Sequence, residues 1–300
     1  MSIFEAFEQY LREQDKAPLT LRGYLADLRL FARWFAQENG EVLRTDNYFA
    51  ADIRAYRQHL LAQGAQPQTV NRRLAALLAF GNWAVQSGAI EINPALHIRS
   101  VPSTPLSPKW LDRREKAALL RAMEKDLAFA RRHYPRLWLL RLRDAAILVL
   151  LLNTGLRVSE LCALQLADVE LGERKGRLIV RAGKGSKQRI IPLNKEARRI
   201  LAEWLLHRPP ESGETLFVGQ RGGAINTRSV QRAVRRLAQS AGLEGVTPHI
   251  LRHTFAKGLI NQGVSIEKVA TLLGHSDLNT TRIYITPGER DLEEAVEVLG

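Results

Sequence analysis

The stretch RLIVRAGKGSKQRIIPL, residues 177–193, holds two short β-prone runs, Arg177–Arg181 and Gln188–Pro192, on either side of a Gly-Lys-Gly-Ser-Lys segment. Gly183 and Gly185 permit a tight turn between them, which predicts a hairpin with Lys184 at its tip. The G-x-x-x-x-G-K-[ST] spacing of a phosphate-cradling P-loop is absent. Helical spacing dominates on both sides of the hairpin. The chain therefore reads as mainly α, with one small antiparallel sheet set into its second half.

Working outward, Asp112-x-x-Glu115 has the form of a capping box, opening a helix expected to run through about Glu124. A further helix is expected from about Leu137 to Asn153, stopped at Thr154-Gly155, and another begins over Val158–Leu166. Beyond the hairpin, helices are expected at about 195–206, 227–241, 249–262 and 266–273. Upstream, VPSTPLSP (101–108) carries three prolines and reads as a domain linker. It separates an all-helical first domain, 1–100, from a second at 109–300 with a tail at 288–300. In the first domain, Thr20 is expected to cap a helix carrying Tyr24, Leu28, Phe31, Trp34 and Phe35 and ended by Gly40. Helices at 51–62 and from Pro67 to near Gly88, with Phe4, Phe7 and Leu11 before them, complete a small bundle.

Charge narrows the partner. The chain has 44 Lys+Arg against 31 Asp+Glu, a net +13. Residues 1–105 hold 11 basic and 10 acidic residues and the remainder 33 and 21, so nearly all the surplus lies in the second domain. A surplus of this size suits a polyanion. A membrane surface would ask for a basic amphipathic helix or a lipid site, and neither is evident. Cys162 is alone, so no intrachain disulfide and no cysteine-based zinc site can form. The acidic, amphipathic N-terminus does not resemble a signal peptide, and the longest apolar run, Ala145–Leu152, is far short of a membrane span. A cytoplasmic location is expected.

Six residues form one chemical set: Arg157, Lys184, His249, Arg252, His275 and Tyr284. Guanidiniums clamp phosphate oxygens and stabilise charge developing on them. Arg157 falls at a helix start and Arg252 lies one turn after His249, on the same helical face. Lys184 and the histidines can move protons, and Tyr284 offers a hydroxyl nucleophile once it has cationic neighbours and a proton acceptor. His249 and His253 also make an H-x-x-x-H pair, but the glutamate that a zinc protease places after the first histidine is Ile250 here. No metal and no cofactor are expected. Thr227–Arg236 reads as a capped helix with Arg228, Arg232, Arg235 and Arg236 spaced to reach a DNA groove and its backbone.

Four segments in order, TGLRVSEL (154–161), GKGSKQRIIPL (183–193), TPHILRHTFA (247–256) and LLGHSDLNTTRIY (272–284), resemble the defining motifs of the tyrosine recombinases, the Xer type above all. Thr20, Tyr24, Asp27-Leu28, Phe31 and Trp34, followed by Thr69 and Asn71–Leu74, resemble that family's SAM-like core-binding domain. The resemblance covers nearly the whole chain. It implies that Tyr284 attacks a scissile phosphate to give a 3′-phosphotyrosyl link and a free 5′-hydroxyl. Arg157 and Arg252 would hold the non-bridging oxygens, Lys184 would protonate the 5′ oxygen, His249 would assist proton transfer with Tyr284, and His275 would hydrogen-bond the phosphate. Glu160 fits the acidic position that orients such a site. Arg72 and Arg73 would contact DNA as two domains close around the duplex.

The resemblance further implies strand exchange through a Holliday junction, without ATP. It would take place in a tetramer of this chain, or of this chain and a paralogue, on two double-stranded DNA sites. The acidic tail, with Leu292, Ala295, Val296 and Leu299 at helical spacing, would dock on a neighbouring protomer. Chromosome-dimer resolution and mobile-element resolution or integration both stay open. The Arg-rich stretch Asp126–Arg143 is longer and more basic than a chromosomal Xer protein leads one to expect, which points towards a mobile-element relative. The alternative class is a DNA-binding accessory protein that uses the same scaffold without cutting, for which Tyr284 would have no task.

Overall fold

The computed structural model describes residues 2–14, 16, 18–102, 108–181, 188–210, 213–220, 222–275 and 277–285. The chain divides into two compact units, Met1–Pro105 and Leu106–Gly300.

The first unit is built from α1 (Ile3–Glu13), α2 (Pro18–Asn39), α3 (Ala50–Ala62) and α4 (Pro67–Gln86). Ser2 and Glu5 close a capping box on α1. α2 starts at Pro18, so Thr20 sits inside its first turn instead of capping it; the fixed φ of proline suits that opening position. Aromatic rings fill the centre. Phe31 meets Tyr56 edge-on at 5.1 Å and Tyr48 at 6.0 Å, and Phe7 meets Phe80 at 5.5 Å. The Tyr48 hydroxyl donates to Leu77 O at 2.9 Å, so its burial leaves no unmet polar group.

Arg72 and Arg73 have structural partners that the sequence did not reveal. Arg72 pairs with the carboxylate of Asp27, which is 2% exposed and would be costly to bury alone. Arg73 donates to the Tyr56 hydroxyl at 3.2 Å, while its Nε is buried without a hydrogen-bond partner.

The second unit opens with α5 (Arg113–His133) and α6 (Pro135–Thr154). Asp112 and Glu115 exchange the two capping-box bonds at 2.8 and 2.9 Å. α5 runs well past the expected end near Glu124, because the sequence offers no breaker before Tyr134-Pro135. α6 is the core helix: from Leu142 to Leu152 every residue is buried, and α5 and the helices Lys195–His207 and Pro248–Asn261 pack around it.

α7 (Val158–Ala163) and a 3-10 turn (Leu166–Asp168) lead into β1 (Val169–Leu171), β2 (Gly176–Val180) and β3 (Arg189–Pro192). These form an antiparallel sheet in the order β1-β2-β3, with Leu178 opposite Ile191 on the buried face. β1 was not foreseen; three residues are too few for an alternating pattern to show. Residues 182–187, with Lys184, lie outside the described residues. α8 (Lys195–His207), α9 (Thr227–Ser240), α10 (Pro248–Asn261), α11 (Ile266–Leu273) and the short α12 (Asn279–Arg282) complete the unit. Among the described residues, no helix is long and apolar enough to cross a membrane.

Candidate active site

Two helices end at the site, and both end on glycine. α6 stops at Gly155 (φ +63°) and α11 at Gly274 (φ +65°), left-handed conformations that suit a residue without Cβ. Space excludes a side chain as well: a Cβ would lie 2.4 Å from Phe255 at Gly155 and 2.7 Å from Arg189 at Gly274. Helix C-termini present carbonyls without intrahelical donors and carry partial negative charge. Both arginines use them. Arg252, on α10, donates to Gly155 O at 2.6 Å and to Leu273 O at 2.9 Å. Arg157, the N-cap residue of α7, donates to Gly274 O at 3.3 Å and to Leu273 O at 3.5 Å. The two guanidiniums thus converge on one carbonyl although they are far apart in sequence.

Glu160 fixes the other side of Arg157. Its carboxylate accepts from the Arg157 backbone N–H at 2.7 Å and from Nη1 at 2.9 Å. Arg189 on β3 adds a bidentate pair at 2.9 and 2.8 Å and donates through Nε to Leu272 O. Burial alone would raise the Glu160 carboxyl, but hydrogen bonds from Arg189 and from the Arg157 backbone outweigh it and hold the group below its usual range. Three guanidiniums now face one carboxylate. That local surplus of positive charge favours an anion.

The surplus also sets the histidines. His275 is held down to about 4 by burial, then by Arg252, Arg157 and Arg189, so it is neutral at physiological pH. Arg252 Nη2 lies 2.8 Å from its Nε2 and the Thr281 hydroxyl 2.7 Å from its Nδ1. An arginine can only donate, so Nε2 accepts and Nδ1–H donates to Thr281. Arg252 is itself 3% exposed, and burial lowers it to about 10, still fully charged.

Tyr284 is 1% exposed, packed with Ala256, Val269 and Leu273. Burial raises its phenol above the ordinary value, against the pull of Arg252 and Arg157. Its hydroxyl lies 2.7 Å from His253 Nδ1. His253 is held at about 4, first by burial and then by His249, Arg252 and His275. It is therefore neutral, and the phenol O–H donates to it. The resemblance implied that His249 assists proton transfer with Tyr284. In the structure His249 is exposed and packs edge-to-face on the His253 ring at 4.1 Å, so His253 stands between them.

Arg157, Glu160, Arg252, His275 and Tyr284 are thus brought together, with His249 at the edge. The sequence reading missed His253, weighed there only as half of a zinc pair, and Arg189. The helical-face argument that joined His249 to Arg252 extends to His253 at i+4. Nothing local marks Arg189. Among the described residues, no group of three or more His, Cys, Asp and Glu side chains is placed to hold a metal ion.

On α9, capped by Asn226, the apolar face of Val230, Ala233, Val234 and Leu237 is buried while Arg228, Arg232 and Arg235 are exposed. Arg236 is corrected: it bonds Asp126 at 2.7 Å and Asp144 at 3.2 Å, tying α9 to α5 and α6 instead of extending to a groove. One helical position separates its neighbours' solvent face from a pair of carboxylates.

Residues 109–290 match the phage integrase family and residues 4–88 the phage integrase N-terminal SAM-like domain. Tyrosine recombinase XerA of Thermococcus kodakarensis is 34% identical over 98% of this chain and 94% of its own. Tyrosine recombinase XerC of Corynebacterium efficiens is 46% identical over 51% of this chain, and the match spans 49% of that relative's length. Among solved structures, the XerH site-specific recombinase bound to difH substrate, a pre-cleavage complex, has a TM-score of 0.72 at 24% identity, covering 98% of this chain and 84% of that one. This chain belongs to the phage integrase family, the tyrosine recombinases.

Proposed function

We propose that the protein is a site-specific DNA recombinase that cuts and rejoins DNA through a 3′-phosphotyrosyl intermediate, without metal or ATP. The observation that carries the reading is the convergence of Arg157 and Arg252 on Leu273 O, with a buried tyrosine hydroxyl already bonded to a neutral histidine beside them. Two clamped guanidiniums stabilise charge on the equatorial oxygens of a pentacoordinate phosphorus where it develops, and fixed cations need no reorganisation at that moment. Tyr284 is the nucleophile, Arg157 and Arg252 hold the non-bridging oxygens, and His275 hydrogen-bonds the phosphate. His249 completes the rim, Lys184 protonates the departing 5′ oxygen, and Glu160 holds Arg157 in register. Because the phosphotyrosyl ester conserves the bond energy, a 5′-hydroxyl from another strand can displace it, and two rounds in a tetramer on two DNA sites pass through a Holliday junction.

DNA is engaged through Arg228, Arg232 and Arg235, with Arg72 and Arg73 contributing from the first unit. The tail at 288–300, which lies outside the described residues, is assigned to dock on a neighbouring protomer. Its deletion should lower both cooperative binding and cleavage, and unchanged values for the two would refute that assignment. The reaction itself is tested with a library of nicked duplexes of random sequence, incubated in EDTA. Covalent protein–DNA adducts that survive detergent are expected with the parent and not with Tyr284→Phe. Adduct formation that stops in EDTA would overturn the reading.

A further inference from the structure

We infer that His253 is the general base that takes the phenol proton of Tyr284 when the phosphodiester is attacked, and the acid that returns it when the phosphotyrosyl bond is broken. The inference rests on the recombinase reading above and deepens it at one atom.

Geometry carries it. His253 Nδ1 is 2.7 Å from the reacting oxygen, inside the range a general base needs. His253 is 7% exposed and Tyr284 1%, so bulk water has little access to that proton. The ring centroids are 5.3 Å apart on packed elements, α10 and the segment after α12, so the contact is fixed by the fold. His249 meets the His253 ring and not the phenol. The charge state is right for the role, since burial, and after it His249 and Arg252 on its own helix and His275 beyond α11, keep it neutral.

The step balances. The Tyr284 O–H bond breaks and its proton passes to His253 Nδ1, giving an imidazolium. The phenolate oxygen forms a bond to phosphorus, and the bond from phosphorus to the 5′ oxygen breaks, that oxygen taking a proton from the general acid. In rejoining, the incoming 5′-hydroxyl loses its proton to the general acid's conjugate base, the phosphorus–phenol bond breaks, and His253 gives its proton back to the phenolate.

The experiment uses the full chain and a nicked duplex recovered from the random library. His253→Ala should slow adduct formation about 100-fold or more, the usual contribution of a positioned base. Genetic placement of 3-fluorotyrosine at position 284, which acidifies the phenol, should restore much of that loss in His253→Ala and move the parent far less. A 5′-bridging phosphorothiolate, which makes protonation of the leaving group unnecessary, should not restore it. His253→Gln, which keeps volume and a hydrogen-bond acceptor but cannot be protonated, should stay as slow as the alanine variant while melting cooperatively like the parent. The inference is overturned if His253→Ala cleaves within threefold of the parent, if the glutamine variant recovers, or if the phosphorothiolate rescues. A parent that forms no Tyr284-dependent adduct would instead overturn the recombinase reading itself.

Discussion

Replacing Glu160 by glutamine removes one charge from the centre of the site while keeping its shape. The parent carboxylate accepts four hydrogen bonds, two of them from Arg189 and two from Arg157, at 2.7 to 2.9 Å. An amide has a single acceptor oxygen, and its NH2 would face a guanidinium. The Arg189 side chain is 12% exposed and Glu160 16%, so water screens the pair only in part. Breaking a fully buried pair by removing one partner costs about 3–5 kcal/mol, and discounting for the remaining exposure leaves about 2–3. In a unit of this size each kcal/mol lowers the melting temperature by about 2–4 °C, so the second unit should melt roughly 5–10 °C below the parent. Differential scanning calorimetry measures that shift directly. The pair can be isolated with Arg189→Met: the double variant should be more stable than the sum of the two single losses, by about 1–3 kcal/mol, because the Arg189 guanidinium is no longer left without its carboxylate. Adduct formation should fall at least tenfold in Glu160→Gln, since Arg157 loses the partner that orients it. Additive effects within about 0.5 kcal/mol, or a melting temperature equal to the parent's, would refute the electrostatic role assigned to Glu160.

Three other outcomes follow from the geometry. Gly155→Ala combines a left-handed φ of +63° with a Cβ 2.4 Å from Phe255, and should cost about 1–3 kcal/mol in urea unfolding while displacing the carbonyl that holds Arg252. His253 has a folded pKa near 4 against about 6.5 when unfolded, so below pH 6.5 the unfolded chain binds a proton the folded chain refuses. Its contribution is complete above that pH and drains away as pH falls towards 4, up to about 3 kcal/mol; urea unfolding at the two ends of the window should show His253→Gln losing less than the parent. Replacing Arg228, Arg232 or Arg235 by glutamine should weaken binding to random-sequence duplex and reduce the logarithmic salt slope by about one each, whereas Arg236→Gln should mainly lower thermal stability because its partners are Asp126 and Asp144.

Local rules made much of this molecule legible. The capping box at Asp112, the glycine stops at Gly40 and Gly155 and the hairpin strands are short-range physics, and the structure has them within a residue or two of where spacing put them. Failures came where a distant partner decides. Arg236 and Asp126 are 110 positions apart, and Arg189 and Glu160 are 29 apart. A helical wheel says that Arg236 shares a face with Arg228 and Arg232, but not that two carboxylates wait beside it. The same blindness hid the carbonyl cradle, because Leu273 O and Gly155 O carry no side-chain signature at all. His253 was legible in principle and overlooked for a chemical reason: its i, i+4 partner suggested metal ligation, while its actual partner lies 31 positions on.

The gap between donor and acceptor constrains how the phenol proton can move. Burial puts Tyr284 above its ordinary value of 10.0, and His253 sits near 4. Complete transfer before attack would therefore run uphill, offset only in part by the attraction between the imidazolium and the phenolate it would create. An arriving phosphodiester does little to close that gap. Its negative charge offsets the guanidiniums of Arg157 and Arg252, and this raises the phenol and the imidazole together, leaving their difference nearly unchanged. What does change the difference is bonding to phosphorus, since an oxygen forming that bond becomes steadily more acidic while the imidazole does not. In the proposed reaction the proton must accordingly leave as the bond forms, and the cations act on the charge that passes to the equatorial oxygens instead of on a free phenolate. A buried nucleophile with a raised pKa is then no handicap. In the proposed reaction it stays protonated until a phosphorus is held by both arginines at the moment of attack.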